Sequence, residues 1–208
     1  MEDKLARLKE QYDIVDYRNA SGVLKTGSPD EFEELLDAFL AFKFHKNDLL
    51  KSGGNESPIP KKFSSLLRHK HWRETKISGD LNVYLEKKNV EESGKESETY
   101  TIEKFLEGHK IDYVKNRVAF DLEWNSKDQT FDRDLYAFAT FYQANIIDAA
   151  VLVTRSADMN PIFDELGIRQ KYGASTTWMG KLEYRLHASR SGGCPVLALG
   201  ITPKLMEE

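Results

Sequence analysis

Apolar and polar positions alternate over residues 118–124. In an extended strand Val118, Phe120, Leu122 and Trp124 share one side, and Ala119, Asp121 and Glu123 share the other. Residues 111–114 predict a shorter strand just before, joined through the polar, turn-like residues 115–117. Two near-continuous apolar runs, IIDAAVLV at 146–153 and PVLALGI at 195–201, have the composition of strands covered on both faces. Residues 72–77 and 81–85 predict two further strands. Helical spacing begins at Pro29-Asp30, where Phe32, Leu35, Leu36, Phe39, Leu40 and Phe44 recur, with Ser28 as the N-cap. After the loop-like KSGGNESPIP of residues 51–60, a short helix turns Phe63, Leu66 and Leu67 inward. Residues 132–144 (with Leu135, Phe138, Ala139, Phe141 and Tyr142), 157–166 (with Pro161 in the first turn) and 177–189 predict three more helices. Strands and helices alternate, so the expected architecture is α/β, a sheet with helices on both faces.

Composition places these elements in one domain spanning 1–208, globular but polar-rich, with 40% hydrophobic and 31% charged residues. Residues 86–99 are dominated by Lys, Glu and Ser. They predict either a mobile hairpin tip or a disordered insertion. No apolar run is long enough to span a membrane, and the charged N-terminus lacks the apolar centre of a secretory signal. The single cysteine, Cys194, excludes an internal disulfide and argues against a cysteine-rich zinc site. A cytoplasmic setting is expected. The net charge of −4 argues against a general nucleic-acid binder. Residues 61–76 nevertheless carry six Lys/Arg, two His and only Glu74 as an acid. Such a segment is either a solvated helix face or a contact for phosphates.

Asp121 and Glu123 change the picture of the 118–124 strand. Acids are costly to bury unless compensated, and a divalent metal is one good compensator. With Asn116-Arg117 as the central turn residues, Asp112 pairs across from Asp121, with Cβ atoms about 4.5–5.5 Å apart. Glu123 lies one pleat further on, roughly 7 Å from Asp121. Three carboxylates then converge on a patch able to hold Mg²⁺. A one-residue slip in the turn would send Asp112 to the other face. Other constellations are missing: the chain has neither a phosphate-binding GxxxxGK[ST] nor a GxGxxG. His69 and His71 sit in the basic segment, His187 on a helix reads as a bonded surface or core residue, and Cys194 before Pro195 reads as packing.

The hairpin IDYVKNRVAFDLEWNSK resembles the active-site hairpin of type II restriction endonucleases of the BamHI, BglII and BstYI group, within the PD-(D/E)xK nuclease superfamily. The resemblance runs on through the helix at 132–144, IIDAAVLV, GKLEYRLHASRSGGCP and VLALGI. It is nearest to BstYI over residues 111–203, and holds in outline over 58–77. It implies a restriction-endonuclease-like core, a mixed sheet flanked by helices. It implies Mg²⁺-dependent hydrolysis of double-stranded DNA at a short palindrome, leaving 5′-phosphate and 3′-hydroxyl ends. Asp112 and Asp121 match the metal-binding acids, with the Leu122 carbonyl as a further oxygen ligand. Glu123 stands where the superfamily usually has lysine and this group has Glu or Gln. There it would orient or deprotonate water, or bind a second metal. Glu74 matches a further acid near the site. Asn125, Ser126, Lys127 and Arg190 fall where the group contacts DNA. The group acts as homodimers on palindromes centred on GATC, which makes the 132–144 helix with Phe138, Phe141 and Tyr142 either a dimer contact or ordinary core. Two rivals share the fold: a structure-selective or repair nuclease, and a DNA-binding protein that does not cleave.

Overall fold

The computed structural model describes residues 1–51, 57–88 and 95–207. The chain opens with α1 (Glu2–Gln11), β1 (Tyr12–Tyr17), α2 (Ala20–Gly27) and α3 (Pro29–Ala41). Short β2 (Phe44–His45) and α4 (Lys46–Leu50) lead to α5 (Pro58–Leu67), after which β3 (Arg73–Lys88) and β4 (Lys95–Lys115) follow. Then come β5 (Val118–Leu122), α6 (Thr130–Gln143), β6 (Ala149–Arg155), α7 (Asn160–Glu165), α8 (Met179–His187), β7 (Val196–Ile201) and β8 (Met206–Glu207). By internal contacts the chain divides into two units, residues 1–74 with 111–208, and residues 75–110.

In the first unit the sheet is mixed, as expected. β5 and β6 are parallel, as are β6 and β7, while β1 runs antiparallel to β7 and β4 antiparallel to β5. The full strand order is β1-β7-β6-β5-β4-β3. Every residue of β5, β6 and β7 is buried, which is what a central strand with both faces covered requires. On one face Val118, Phe120, Leu122, Val151, Val153, Leu197 and Leu199 join the inward residues of α1, α3 and α5 in a single apolar cluster. Its centre is aromatic. Phe42 stacks on Phe63 at 4.0 Å, and Phe120 sits 5.8 Å from Phe39 and 6.2 Å from Phe63. The other face presents the alternate residues Ala119, Asp121, Ala150, Leu152, Val196 and Ala198 to the side where α8 packs on β7 and α6 packs on α8. Small residues there let the helices approach. The turn before β7 is equally tight: Gly192 has φ 58°, and a Cβ on it would lie 2.7 Å from that of Ala139 on α6.

Several boundaries depart from expectation for local reasons. Phe44 leaves the α3 stripe and forms β2, because α3 stops at Ala41. Ser28 occupies the N-cap of α3, but its side chain makes no bond to the helix. Pro58 and Pro60, expected in a loop, form the first turn of α5, where a missing N–H costs nothing. Phe63 and Leu67 are buried as expected. Pro161 lies in the first turn of α7, with a 3₁₀ turn at Ala157–Met159 before it. The two strands expected at 72–77 and 81–85 are one strand, β3. Phe138 and Phe141 of α6 are buried within the protomer, so they cannot meet a second copy; Tyr136 and Tyr142 are the exposed aromatics of that helix. Among the described residues no helix is long and apolar enough to cross a membrane.

The second unit consists of most of β3 and β4. Lys87 bonds Glu98, Thr101 bonds Asn82, and the Lys104 amide donates to Asp80, so the two strands run antiparallel. The expected mobile segment at 86–99 resolves into strand at 86–88 and 95–99. Its middle, residues 89–94, lies outside the described residues.

Candidate active site

The β4–β5 turn sets the site. Asn116 takes the left-handed conformation its side chain tolerates, with φ 47°. Arg117 is tied to Asp148 by two bonds of 2.6 and 2.5 Å, fixing the turn against the start of β6. The resulting register is Tyr113 opposite Phe120, Val114 opposite Ala119 and Lys115 opposite Val118. These are pairs the Asn116-Arg117 turn predicts, and Asp112 and Asp121 come next on their two strands, near enough for their charges to interact. Asp112 is exposed and Asp121 is buried.

Glu123 follows the strand and is held chiefly by its backbone. Its amide donates to the Val153 carbonyl at 2.9 Å. Its own carbonyl accepts from Thr154 Oγ1 at 2.8 Å and Thr177 Oγ1 at 3.2 Å. The side chain, on a residue only 7% exposed, accepts from Arg133 Nη2 at 3.1 Å. Asp121 Oδ1 accepts from the Leu122 amide at 2.9 Å.

A fourth acid joins these from α6. Asp134 is 2% exposed, and its Oδ1 accepts from Arg133 Nε at 3.0 Å and Nη2 at 2.9 Å. Burial pushes the Asp121 carboxyl well above the usual carboxylate range, and the neighbouring charges of Asp134, Asp112 and Glu123 push it further. Burial likewise raises Asp134, to about 8, reinforced by Glu123 and opposed by Arg133. Asp134 was not among the expected site residues. The signal was present, because it lies on the inward stripe of α6 between Phe131 and Phe138, where an acid is out of place.

The remaining expected residues are placed as follows. Asn125 has φ 62°, and its buried Oδ1 has no donor. The Ser126 carbonyl accepts from the Thr177 amide at 2.9 Å, and Lys127 bridges to Thr176 with an exposed side chain. The 123–130 segment is thus clamped to residues 173–177. Arg190 pairs with Asp132 and lies over the Tyr184 ring at 5.6 Å. Asp132 also takes Arg185 Nε and Nη2 at 3.0 and 3.1 Å, fastening α6 to α8. Glu74 stands exposed near the start of β3. In the basic segment Lys62 bonds Asp48 at 2.6 Å, while Lys61, Arg68, His69 and His71 are exposed. His187 is exposed on α8, and Cys194 is buried with its thiol pushed up to about 12 by burial, which makes it inert packing.

A family model for the restriction endonuclease BglII/BglIII matches residues 12–201, most of the chain. The chain belongs to the BglII/BglIII restriction endonuclease family. It is therefore a type II restriction endonuclease, a nuclease that hydrolyses DNA, with the mixed α/β core that the sequence led us to expect. No curated protein matches it. Members of the family generally use divalent metals, and the donors fit one in kind: hard carboxylate oxygens, crowded enough to raise the Asp121 and Asp134 carboxyls, with Asp134 Oδ2 buried and without an N–H donor. Among the described residues, however, no three such side chains stand together at metal-holding distance. Arg133 draws Glu123 and Asp134 to itself instead.

Proposed function

We propose that the protein is a Mg²⁺-dependent homodimeric endonuclease that cleaves double-stranded DNA within a short palindrome, leaving 5′-phosphate and 3′-hydroxyl ends. What supports this is the hairpin, in which the observed pairs lead up to Asp112 and Asp121, whose charges interact, with Glu123 two residues beyond Asp121, in a chain of this family. Asp112 and Asp121, with the Leu122 carbonyl, would hold the ion. A bound Mg²⁺ supplies charge neutralisation at the scissile phosphate and lowers the pKa of a coordinated water. Glu123 would orient the attacking water or take its proton, and its backbone is held by the Val153, Thr154 and Thr177 bonds. As the water oxygen bonds to phosphorus, the P–O3′ bond breaks and the 3′ oxygen leaves, taking a proton from solvent water to become the 3′-hydroxyl. Asn125, Ser126 and Lys127 form the contact to DNA. Arg190 reaches a phosphate by exchanging Asp132 for it, and Glu74 is a further acid for the site.

Incubation with Mg²⁺ and plasmids of known sequence tests this. Discrete bands, with ends mapping to one palindrome related to GATC and bearing 5′-phosphates, are expected, and Asp121→Ala should abolish them. Intact DNA, or an Asp121→Ala variant as active as wild type, refutes it. Nicks or smears would select a structure-selective nuclease. The non-cleaving reading draws on Arg133, whose guanidinium already compensates two of the acids; a DNA mobility shift without cleavage at any divalent-ion concentration would select it. A monomeric mass with and without DNA would remove the homodimer.

A further inference from the structure

The Arg133–Asp134 pair does more than a helix salt bridge requires. Adjacent residues on a helix do not face each other, yet Arg133 folds back over Asp134 and reaches Glu123 with the same Nη2 atom. The two partners differ in their surroundings. Arg133 has a side chain 67% exposed, while that of Asp134 is 2% exposed. An exposed arginine side chain can swing into solvent, where its charge is hydrated, provided another cation takes its place beside the buried acids. Asp134 cannot move so freely, since it is set in the stripe of Phe131, Leu135 and Phe138. One of its oxygens is satisfied by Arg133. The other, Oδ2, is buried and meets no donor, and the carboxyl lies within hydrogen-bonding reach of Glu123. Two carboxyls set beside each other in the interior with one guanidinium between them are a standing cost that a purely structural aspartate would not carry.

We propose that Asp134 is a fourth carboxylate of the metal centre, supplied by α6, and that Arg133 is the internal cation that holds Glu123 and Asp134 together until a divalent ion displaces it. This rests on the metal-dependent reading above. It explains why two acids from different elements share one guanidinium.

The test is Mn²⁺ titrated calorimetrically into the full-length protein without DNA, with melting in EDTA as the control for folding. Asp134→Asn should bind Mn²⁺ at least tenfold more weakly, yet melt in EDTA no lower than wild type, because the amide can donate to Glu123. Arg133→Ala should bind Mn²⁺ severalfold more tightly, since the competing cation is gone. Binding by Asp134→Asn within threefold of wild type overturns the proposal, as does weaker binding by Arg133→Ala. Should Asp134→Asn fail to fold, Arg133→Ala decides alone. If wild type binds Mn²⁺ and cuts DNA, and Asp121→Asn loses both while Asp134→Asn loses neither, only this proposal fails. If wild type neither binds Mn²⁺ nor cuts, the metal-dependent reading falls with it.

Discussion

The buried acids predict an unusual pH dependence for the metal-free protein. In the unfolded chain the Asp134 carboxyl ionises near its ordinary value of 3.8, whereas in the folded protein it keeps its proton up to about 8. Between those values the folded state holds one more proton than the unfolded state. Stability must then fall as pH rises, by about 1.4 kcal/mol per pH unit for one proton. The contribution is fully present below pH 3.8 and lost once pH passes about 8. From pH 5 to pH 8 the loss is at most about 4 kcal/mol. Asp121, raised for the same reason, adds to the slope in the same direction. Asp132, Asp148, Glu34 and Asp48 are held below the usual range by Arg185 and Arg190, Arg117, Lys115 and Lys62. Their support is lost only as pH falls below about 4, outside the window. Urea unfolding in EDTA at pH 5, 6, 7 and 8 measures the effect. Stability that is flat or rising across this range would refute the reasoning, as would an Asp134→Asn variant that keeps the full wild-type slope.

Further outcomes follow from single contacts. Thr154→Val and Thr177→Val each remove a buried donor to the Glu123 carbonyl, so each should cost about 1 kcal/mol in chemical denaturation, and together they should slow plasmid cleavage with DNA affinity unchanged in a filter-binding assay. Arg155 bonds Thr176 Oγ1 at 2.8 Å and the Tyr172 carbonyl at 3.2 Å while lying against Phe163 and Tyr172. Arg155→Ala should therefore lower stability by about 3 kcal/mol in urea and loosen the 172–177 segment to proteolysis. Phe120→Ala, at the centre of the aromatic cluster, should cost about 3–5 kcal/mol by the same measurement. Cys194 should resist a thiol reagent in the folded protein at pH 8 and react only on unfolding.

How legible each part was depends on how local its cause is. The β4–β5 register was readable because both determinants lie within a few residues: the Asn116-Arg117 turn, and the alternation that sends Phe120 to one core and Asp121 to the other face. β6 and β7 were readable because strands covered on both faces tolerate little but apolar residues, as Ala149–Arg155 and Val196–Ile201 show. β1 was not identified. Its sequence YDIVDY is mixed because it lies at the sheet edge, and its partner β7 is at the far end of the chain. The break expected at Ser78-Gly79-Asp80 fails because the composition suits a turn but the partner strand overrides it, with Asp80 accepting the Lys104 amide. The 132–144 helix begins earlier, at Thr130, because the Thr130 amide and Oγ1 both bond the Lys127 carbonyl.

The acids show the same division more sharply. Asp112, Asp121 and Glu123 lie on or just beyond one hairpin, where strand period and turn geometry suffice to make them candidates. Asp134 arrives through tertiary structure. Ala119 and Ala150 keep that face of the sheet shallow, and the Arg185–Asp132 bonds fasten α6 against α8. Helical period then turns Asp134 inward with Phe131 and Phe138. None of those steps is visible from the hairpin, yet the last leaves a mark in the sequence, an acid on an apolar stripe. An exposed acid needs no partner. A buried one needs a donor, a proton or a cation, and Asp134 has a guanidinium on one oxygen only. A polar residue at the wrong phase of a helix was therefore the readable sign of a site that no spacing motif could supply.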